Sequence, residues 1–191
     1  MNTRVIPEVP HRTTPMDGRG PVTDPAGRWL ALVRIFVGLW FLKSVVTKLS
    51  WTLLGGVVPV PTASARWIGF LPKRLADMAD GSAVEWYRGF LTDVAVPNST
   101  VFAYLTAFGE VAVGLGLTLG FLTGYASCVG LLIMGNYLLA TYGAGSCQQG
   151  FHALLIVSMI AFLGARAGRS WGLDGWLRQR FPQRYGKVPL T

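Results

Sequence analysis

Four charged side chains lie inside apolar stretches of this sequence. Arg34, Lys43 and Lys48 fall in the first stretch, and Glu110 is the only acid in any of them. Arg34 and Lys48 are 14 residues apart, so on a helix they project along nearly one face. An unpaired charge near a bilayer centre costs about 3 kcal/mol even on lenient insertion scales. The sequence therefore predicts that Arg34 meets Glu110 directly or through one water, with Lys48 as the weaker partner.

The predicted pair allows two interpretations. On antiparallel helices, the α-carbons of Arg34 and Glu110 would differ in depth by roughly 7 Å, which a long guanidinium can cover. The pair is then either purely structural or part of a site. The site interpretation rests on Asn136, Tyr137 and His152, which fall within one or two helical turns of Glu110 in depth. Carboxylate, amide, phenol and imidazole groups could hydrogen-bond the carbonyls of a head group whose tail lies among apolar side chains.

Under the site interpretation, Glu110 or His152 relays protons. A single histidine near a helix end also fits a plain interfacial position. The candidate residues are, for catalysis, Glu110, Arg34 and His152, and, for cofactor binding, Asn136, Tyr137 and Lys48.

Composition points to a membrane protein. Of 191 residues, 51% are hydrophobic and 14% are charged, whereas soluble domains have about a quarter of charged residues. A soluble enzyme is therefore nearly excluded. Cys128 and Cys147 would be separated by roughly 28 Å of helix and cannot pair, and the role of Cys147 is left open. Two histidines are too few for an internal metal cage, and no haem or flavin motif is visible.

Four apolar segments predict an all-α integral membrane four-helix bundle, because about 20 apolar residues span a bilayer. The predicted membrane domain is 29–165, with spans at about 29–49, 100–120, 124–142 and 149–165.

The flanking segments predict the topology. Residues 1–28 contain five prolines and no apolar core segment, so we predict a flexible cytoplasmic leader. Residues 166–191 hold most of the cationic excess and predict a basic cytoplasmic tail by the positive-inside rule. With an even number of spans, both termini are cytoplasmic in a plasma (inner) membrane. No nucleic-acid motif accompanies the tail charge.

The first loop, residues 50–97, is too long for a bare connection and is rich in aromatic residues. Val84, Tyr87, Leu91 and Val94 recur at three- and four-residue steps, which predicts a short amphipathic helix on the extracytoplasmic surface. Such a helix could cover the bundle as a lid. The alternative is a partly ordered linker.

Three motifs occur in order on this four-helix pattern: Arg34 to Lys48, Phe108-Gly-Glu110 to Gly120, and Gly168-Arg-Ser-Trp-Gly-Leu-Asp174. With them, the chain resembles the DoxX family and, within it, the DoxD-like small-subunit group of thiosulfate:quinone oxidoreductases. The resemblance covers most of residues 29–178. It implies quinone-linked membrane redox work, with thiosulfate as one candidate donor.

Two functions are therefore predicted in competition. The first is a quinone-linked oxidoreductase component, with quinone as the cofactor, membrane lipids around it and protein partner subunits. The alternative is a non-enzymatic membrane anchor or accessory subunit of a larger complex, which the lack of a recognisable redox centre favours. Small-solute transport is disfavoured, since the sequence shows no inverted repeat of broken helices.

Overall fold

The computed structural model describes residues 25–142, 145–185 and 188. Most of the predicted leader, residues 1–28, and the last residues of the predicted tail lie outside this part of the chain. In chain order, the elements are α1 (Pro25–Lys48), β1 (Leu49–Leu54), β2 (Val58–Ala63), α2 (Ala65–Gly81), α3 (Glu85–Phe90), a π-helical turn (Leu91–Ala95), α4 (Ser99–Leu119), α5 (Thr123–Ala140), α6 (Ser146–Gly164), a 3-10 turn (Ala167–Arg169), α7 (Leu173–Arg180) and α8 (Pro182–Tyr185).

Four of the described helices, α1, α4, α5 and α6, are long and apolar enough to cross a membrane. They form an antiparallel bundle in which α1 packs mainly on α4, α4 on α5, and α5 on α6. The predicted all-α membrane bundle is confirmed. Helices α1 and α6 touch only weakly, which leaves a lateral groove between them.

Small residues bring α1 and α4 close together. A Cβ atom placed on Gly38 would lie 2.6 Å from the backbone nitrogen of Thr118, and one on Gly114 would lie 2.9 Å from that of Leu42. Neither contact leaves room for a methyl group. The glycines therefore fix the distance between these helices, as small residues do where helices pack in membranes.

The bundle core is formed by residues that are almost fully buried, among them Val37, Val113, Leu117, Met159 and Phe162. Large apolar side chains on the opposite helix faces are exposed, such as Leu132 at 76% and Val157 at 61%. A helix that is apolar on both its packed and its open face is suited to a lipid surround.

Residues 49–98 fold into a cap, which we call the lid. It begins with an antiparallel hairpin in which Leu54 pairs with Val58, and Gly55 and Gly56 supply the positive φ angles of its turn. Helix α2 follows, and Ser64 caps it by accepting a hydrogen bond from the Trp67 backbone N–H at 3.2 Å. The predicted amphipathic helices are present, and the sequence did not predict the hairpin.

Helix α3 and the π-helical turn bury the predicted face at Val84, Tyr87 and Leu91 but not at Val94. Tyr87, Leu91 and Ala95 are at most 2% exposed, whereas Val94 is 42% exposed. The π-helical turn has a wider repeat than an α-helix, so four-residue steps stay on the packed side and Val94 rotates outward.

We call the end of the bundle beneath the lid the lid end. The opposite end, where α7 begins, is called the tail end.

Candidate functional site

A buried ion pair lies at the lid end of the bundle. Lys48 is the last residue of α1, and Glu110 is on the facing side of α4. Lys48 Nζ lies 2.7 Å from Glu110 Oε1, and the two side chains are only 15% and 10% exposed. The separation is that of a charge-assisted hydrogen bond.

Tyr137 on α5 completes this pair. Its hydroxyl donates to Glu110 Oε1 at 2.6 Å and accepts from Lys48 Nζ at 3.2 Å. Both contacts of the carboxylate thus use Oε1, and no residue in the described part of the chain hydrogen-bonds Oε2. We call Lys48, Glu110 and Tyr137 the triad.

The lid covers the triad through Trp67 on α2. The Lys48 ammonium lies 4.4 Å from the centre of the Trp67 ring, a cation–π distance. The indole N–H of Trp67 donates to the Ala103 carbonyl on α4 at 3.2 Å, which holds the ring in place. Trp67 therefore covers one side of the ammonium.

His152 on α6 lies against the triad. Its ring centre is 5.9 Å from that of Tyr137, and its Nδ1 is 3.1 Å from Thr141 Oγ1. Thr141 follows the last residue of α5 and also donates to the Tyr137 carbonyl at 2.7 Å. The end of α5 thus sets the position of the imidazole.

Asn136 connects the bundle to the lid. Tyr87 of α3 donates its hydroxyl to Asn136 Oδ1 at 2.8 Å, with the Asn136 carbonyl at 3.2 Å. Tyr87 is 2% exposed, and burial raises the pKa of its phenol to about 12. The Asn136 side-chain oxygen thus joins α3 of the lid to α5 of the bundle through a hydrogen bond.

Two cavities meet at these residues. The lateral groove between α1 and α6 has a volume of about 660 Å³ and is lined by all three triad residues and by His152. A second cavity of about 230 Å³ lies under the lid, and Asn136 lines it. Lys48, Tyr137, Gln148 and His152 line both cavities, so these residues form the wall between lid and groove. Another cavity, of about 680 Å³, is an almost wholly apolar surface depression between α4 and α5.

Arg34 is not at this site, and the predicted Arg34–Glu110 pair is wrong. Arg34 is fully buried at the tail end, where its Nη2 donates to the carbonyls of Trp171 at 3.0 Å and Ser170 at 3.4 Å. Its guanidinium lies against Gly120, ten residues and therefore about 15 Å along α4 from Glu110. The long side chain extends toward the tail end, and Lys48 takes the acid instead.

Sequence reasoning assigned no role to Asp174, which organises the tail end. Its Oδ1 accepts from the Leu122 backbone N–H at 2.8 Å and from the Tyr185 hydroxyl at 3.0 Å, and its Oδ2 accepts from the Thr123 backbone N–H at 2.9 Å. It therefore caps the start of α5 and places a negative charge near Arg34. Partial burial and the bond to Asp174 raise the pKa of Tyr185 to about 12. The sequence signal for this role was that Asp174 is the one acidic residue of the basic tail.

The structure thus brings together four of the six candidate residues, Lys48, Glu110, Tyr137 and His152. Asn136 lies beside them under the lid, and Arg34 is at the other end of the bundle. Sequence reasoning missed Trp67, Thr141 and Gln148. Trp67 had a usable signal, because Ser64 is a good N-cap and places Trp67 in the first turn of a helix.

Within the described residues, no group of three or more His, Cys, Asp or Glu side chains is close enough to hold a metal ion. Cys147 is exposed and lines the groove, and Cys128 is partly buried elsewhere on α5. The polar groups beside the apolar groove are an ion pair, a phenol and an imidazole.

A bundle of four apolar helices with a buried ion pair beside a lateral groove defines an integral membrane protein with a ligand-sized site at one end. Residues 29–190 match the family described as TQO small subunit DoxD, and the chain belongs to that family. This match confirms the DoxD-like part of the predicted resemblance and is compatible with its wider DoxX part. No curated protein and no solved structure matches the chain significantly.

Proposed function

We propose that this protein is the membrane subunit of a thiosulfate:quinone oxidoreductase and that the groove between α1 and α6 binds the quinone ring. One observation carries the proposal. The buried triad lies at the wall of a groove of about 660 Å³, and the groove lies between two helices that a bilayer would surround. A lipid-soluble ligand could enter there without crossing the lid.

The residues fit a quinone in size and chemistry. Ligand sites commonly measure about 300–1,000 Å³ and combine an apolar lining with a few polar groups. Trp40, Phe41, Phe151 and Leu155 provide apolar walls. The triad and His152 provide polar atoms for the ring oxygens, and the neighbouring cavity of about 230 Å³ is below this size range.

When bound, a quinone supplies a carrier for two electrons and two protons. The chain's own residues would hold and orient it. Glu110 Oε2 is the carboxylate oxygen left for a ligand, Tyr137 fixes the carboxylate through Oε1, and the Trp67 ring covers the Lys48 ammonium. Protons would be held at Glu110 or at the His152 ring. Arg34 has no part in this chemistry, because it lies at the tail end.

The family description names a small subunit, which supports a partner chain that delivers electrons to the groove. Thiosulfate as their source rests on that description alone. The alternative, a non-enzymatic anchor for a larger complex, would need partner chains and no quinone.

The orientation is also a proposal. Gly27 at the start of α1 lies close to Ser170 beyond α6, so both ends of the described bundle are at the tail end. The tail end also carries Arg166, Arg169 and Arg178, which supports a cytoplasmic position by the positive-inside rule. We propose a plasma (inner) membrane location with both termini in the cytoplasm and the lid outside.

Extraction and mass spectrometry of the purified protein tests quinone binding. Thr47 lines the groove, and its neighbour Val46 is 82% exposed and does not. Thr47→Trp should empty the groove of quinone, whereas Val46→Trp should leave the quinone content unchanged. Equal content in both variants would place the quinone elsewhere. Stoichiometric partner chains without quinone in the wild type would favour the anchor.

A further inference from the structure

The groove is lined by hydroxyls whose hydrogens are already used. Ser44 donates its hydroxyl hydrogen to the Phe41 carbonyl at 2.8 Å, and Thr47 donates to the Lys43 carbonyl at 3.1 Å. A hydroxyl has one hydrogen and two lone pairs. Ser44 and Thr47 therefore offer a ligand only acceptor atoms.

The hydrogen-bond donors of the triad also bind mainly to other atoms of the triad. The Tyr137 hydroxyl hydrogen goes to Glu110 Oε1, and Lys48 donates to Glu110 Oε1 and to the Tyr137 oxygen. The remaining side of the ammonium is covered by the Trp67 ring. What the triad leaves for a ligand is a lone-pair atom, Glu110 Oε2.

Thr141 decides which nitrogen of His152 carries the proton. The Thr141 hydroxyl hydrogen goes to the Tyr137 carbonyl at 2.7 Å, so in the 3.1 Å contact with His152 the threonine oxygen accepts and Nδ1–H donates. In the neutral ring Nε2 is then a bare acceptor. No residue in the described ranges hydrogen-bonds Nε2.

We infer that the site selects the reduced, hydroxyl-bearing form of its ring ligand, with His152 Nε2 and Glu110 Oε2 as the acceptors that read the ligand's hydroxyl hydrogens. Thr141 is the positioning residue that keeps Nε2 free of a proton. This inference rests on the proposed quinone site and names the redox form the site prefers. The other side chains of the groove that can donate are all exposed: Trp40, Lys43, Cys147 and Gln148. Lys43 lies over the Trp40 ring at 4.3 Å.

The preference follows from hydrogen-bond matching. A carbonyl oxygen brought against Nε2 or Oε2 meets lone pairs with lone pairs, whereas a hydroxyl donates. One net hydrogen bond is worth about tenfold in affinity. Tighter binding of the reduced form by about tenfold raises the reduction potential of a two-electron couple by about 30 mV, so the bound ring would be the stronger oxidant.

The tautomer can be observed without any ligand. The chain has two histidines, so a His11→Ala protein labelled with ¹⁵N-histidine reports on His152 alone. We expect Nδ1–H in this protein and a shift to Nε2–H after Thr141→Val. Thr141→Ser keeps a hydroxyl and should retain Nδ1–H, as should Ser158→Ala, which removes a hydroxyl on α6 that bonds only its own helix. An Nε2–H ring in the parent protein, or no change in Thr141→Val, would overturn the assignment.

The preference itself is tested with a short-chain benzoquinone and its hydroquinone, titrated anaerobically into the full-length protein. The hydroquinone should bind at least about tenfold more tightly. Thr141→Val should reduce this difference, because only Glu110 Oε2 then remains as an acceptor, while Thr141→Ser keeps it. Equal affinity for both forms would overturn the inference and leave the proposed quinone site standing. If neither form binds, the proposed function fails, even if the NMR experiment finds the expected tautomer.

Discussion

Replacing Glu110 by Gln should destabilise the protein by about 3–5 kcal/mol, the usual cost of leaving one partner of a buried ion pair uncompensated. The change keeps the size of the side chain and removes its charge. Lys48 would then keep its ammonium at the lid end with neutral partners and the Trp67 ring, and Tyr137 would bond to a weaker acceptor.

The geometry sets the scale of this effect. At the observed 2.7 Å, two unit charges attract by about 6 kcal/mol at an effective dielectric constant of about 20. Much of this is offset by the cost of moving both groups out of water. The pair is therefore worth little compared with an apolar replacement, whereas breaking it is expensive. We expect Lys48→Met to cost a similar amount and the double variant to cost less than the sum.

A double-mutant cycle measures the pair directly. Unfolding in mixed micelles, followed by tryptophan fluorescence, should give a coupling of about 3 kcal/mol between Lys48→Met and Glu110→Gln. As a matched control, Arg34→Lys and Glu110→Gln should be additive within about 0.5 kcal/mol, because distant sites do not couple. Additivity for Lys48 and Glu110, or strong coupling for Arg34 and Glu110, would refute the arrangement of charges described above.

Three further outcomes are expected. Asp174→Asn should destabilise the protein by about 3 kcal/mol in the same unfolding assay, because it removes the charge near a buried arginine. Asp80 is an exposed acid on α2, so Asp80→Asn should leave the stability unchanged. Equal effects of the two substitutions would contradict the role of Asp174 as the cap of α5. Because the pKa of Tyr87 is raised to about 12 from about 10, its stabilising effect should be full below pH 10 and lost as the pH rises through 12. Tyr87→Phe should reduce this loss of stability at high pH. A tyrosine ultraviolet titration that the substitution leaves unchanged would contradict the raised pKa of Tyr87. In Cys128→Ser protein, a membrane-impermeant maleimide should label the exposed Cys147 from outside intact cells; labelling only after lysis would reverse the proposed topology.

Most of the bundle could be predicted because membrane-spanning helices are recognisable from their composition. About 20 apolar residues in a row have few alternatives in a bilayer, and Gly120, with φ +64°, marks the turn between α4 and α5. The close contact of Gly38 with α4 was less visible. A glycine in an apolar helix signals close packing, and its partner depends on helix rotation, which periodicity alone does not determine.

The lid was predicted only in outline. Its hairpin carried a signal in Gly55 and Gly56, a glycine pair between two runs of β-branched and apolar residues. The same runs contain Pro59 and Pro61, which argue against a strand in the interior of a sheet. A two-stranded hairpin tolerates these prolines because both of its strands are edges.

The position of the buried charges depends on a limit that helix geometry imposes. Arg34 and Lys48 are 14 residues apart, about 21 Å along α1, so a single acid on an antiparallel neighbour can meet only one of them. Depth counting allowed Arg34 because it assumed that the guanidinium extends toward Glu110 and covers the difference in depth. A guanidinium can lie about 6 Å from its α-carbon, and that of Arg34 extends toward backbone carbonyls and Asp174 at the tail end. Glu110 was thereby left to Lys48, which places the buried ion pair under the lid and leaves Arg34 to the backbone carbonyls of the tail end.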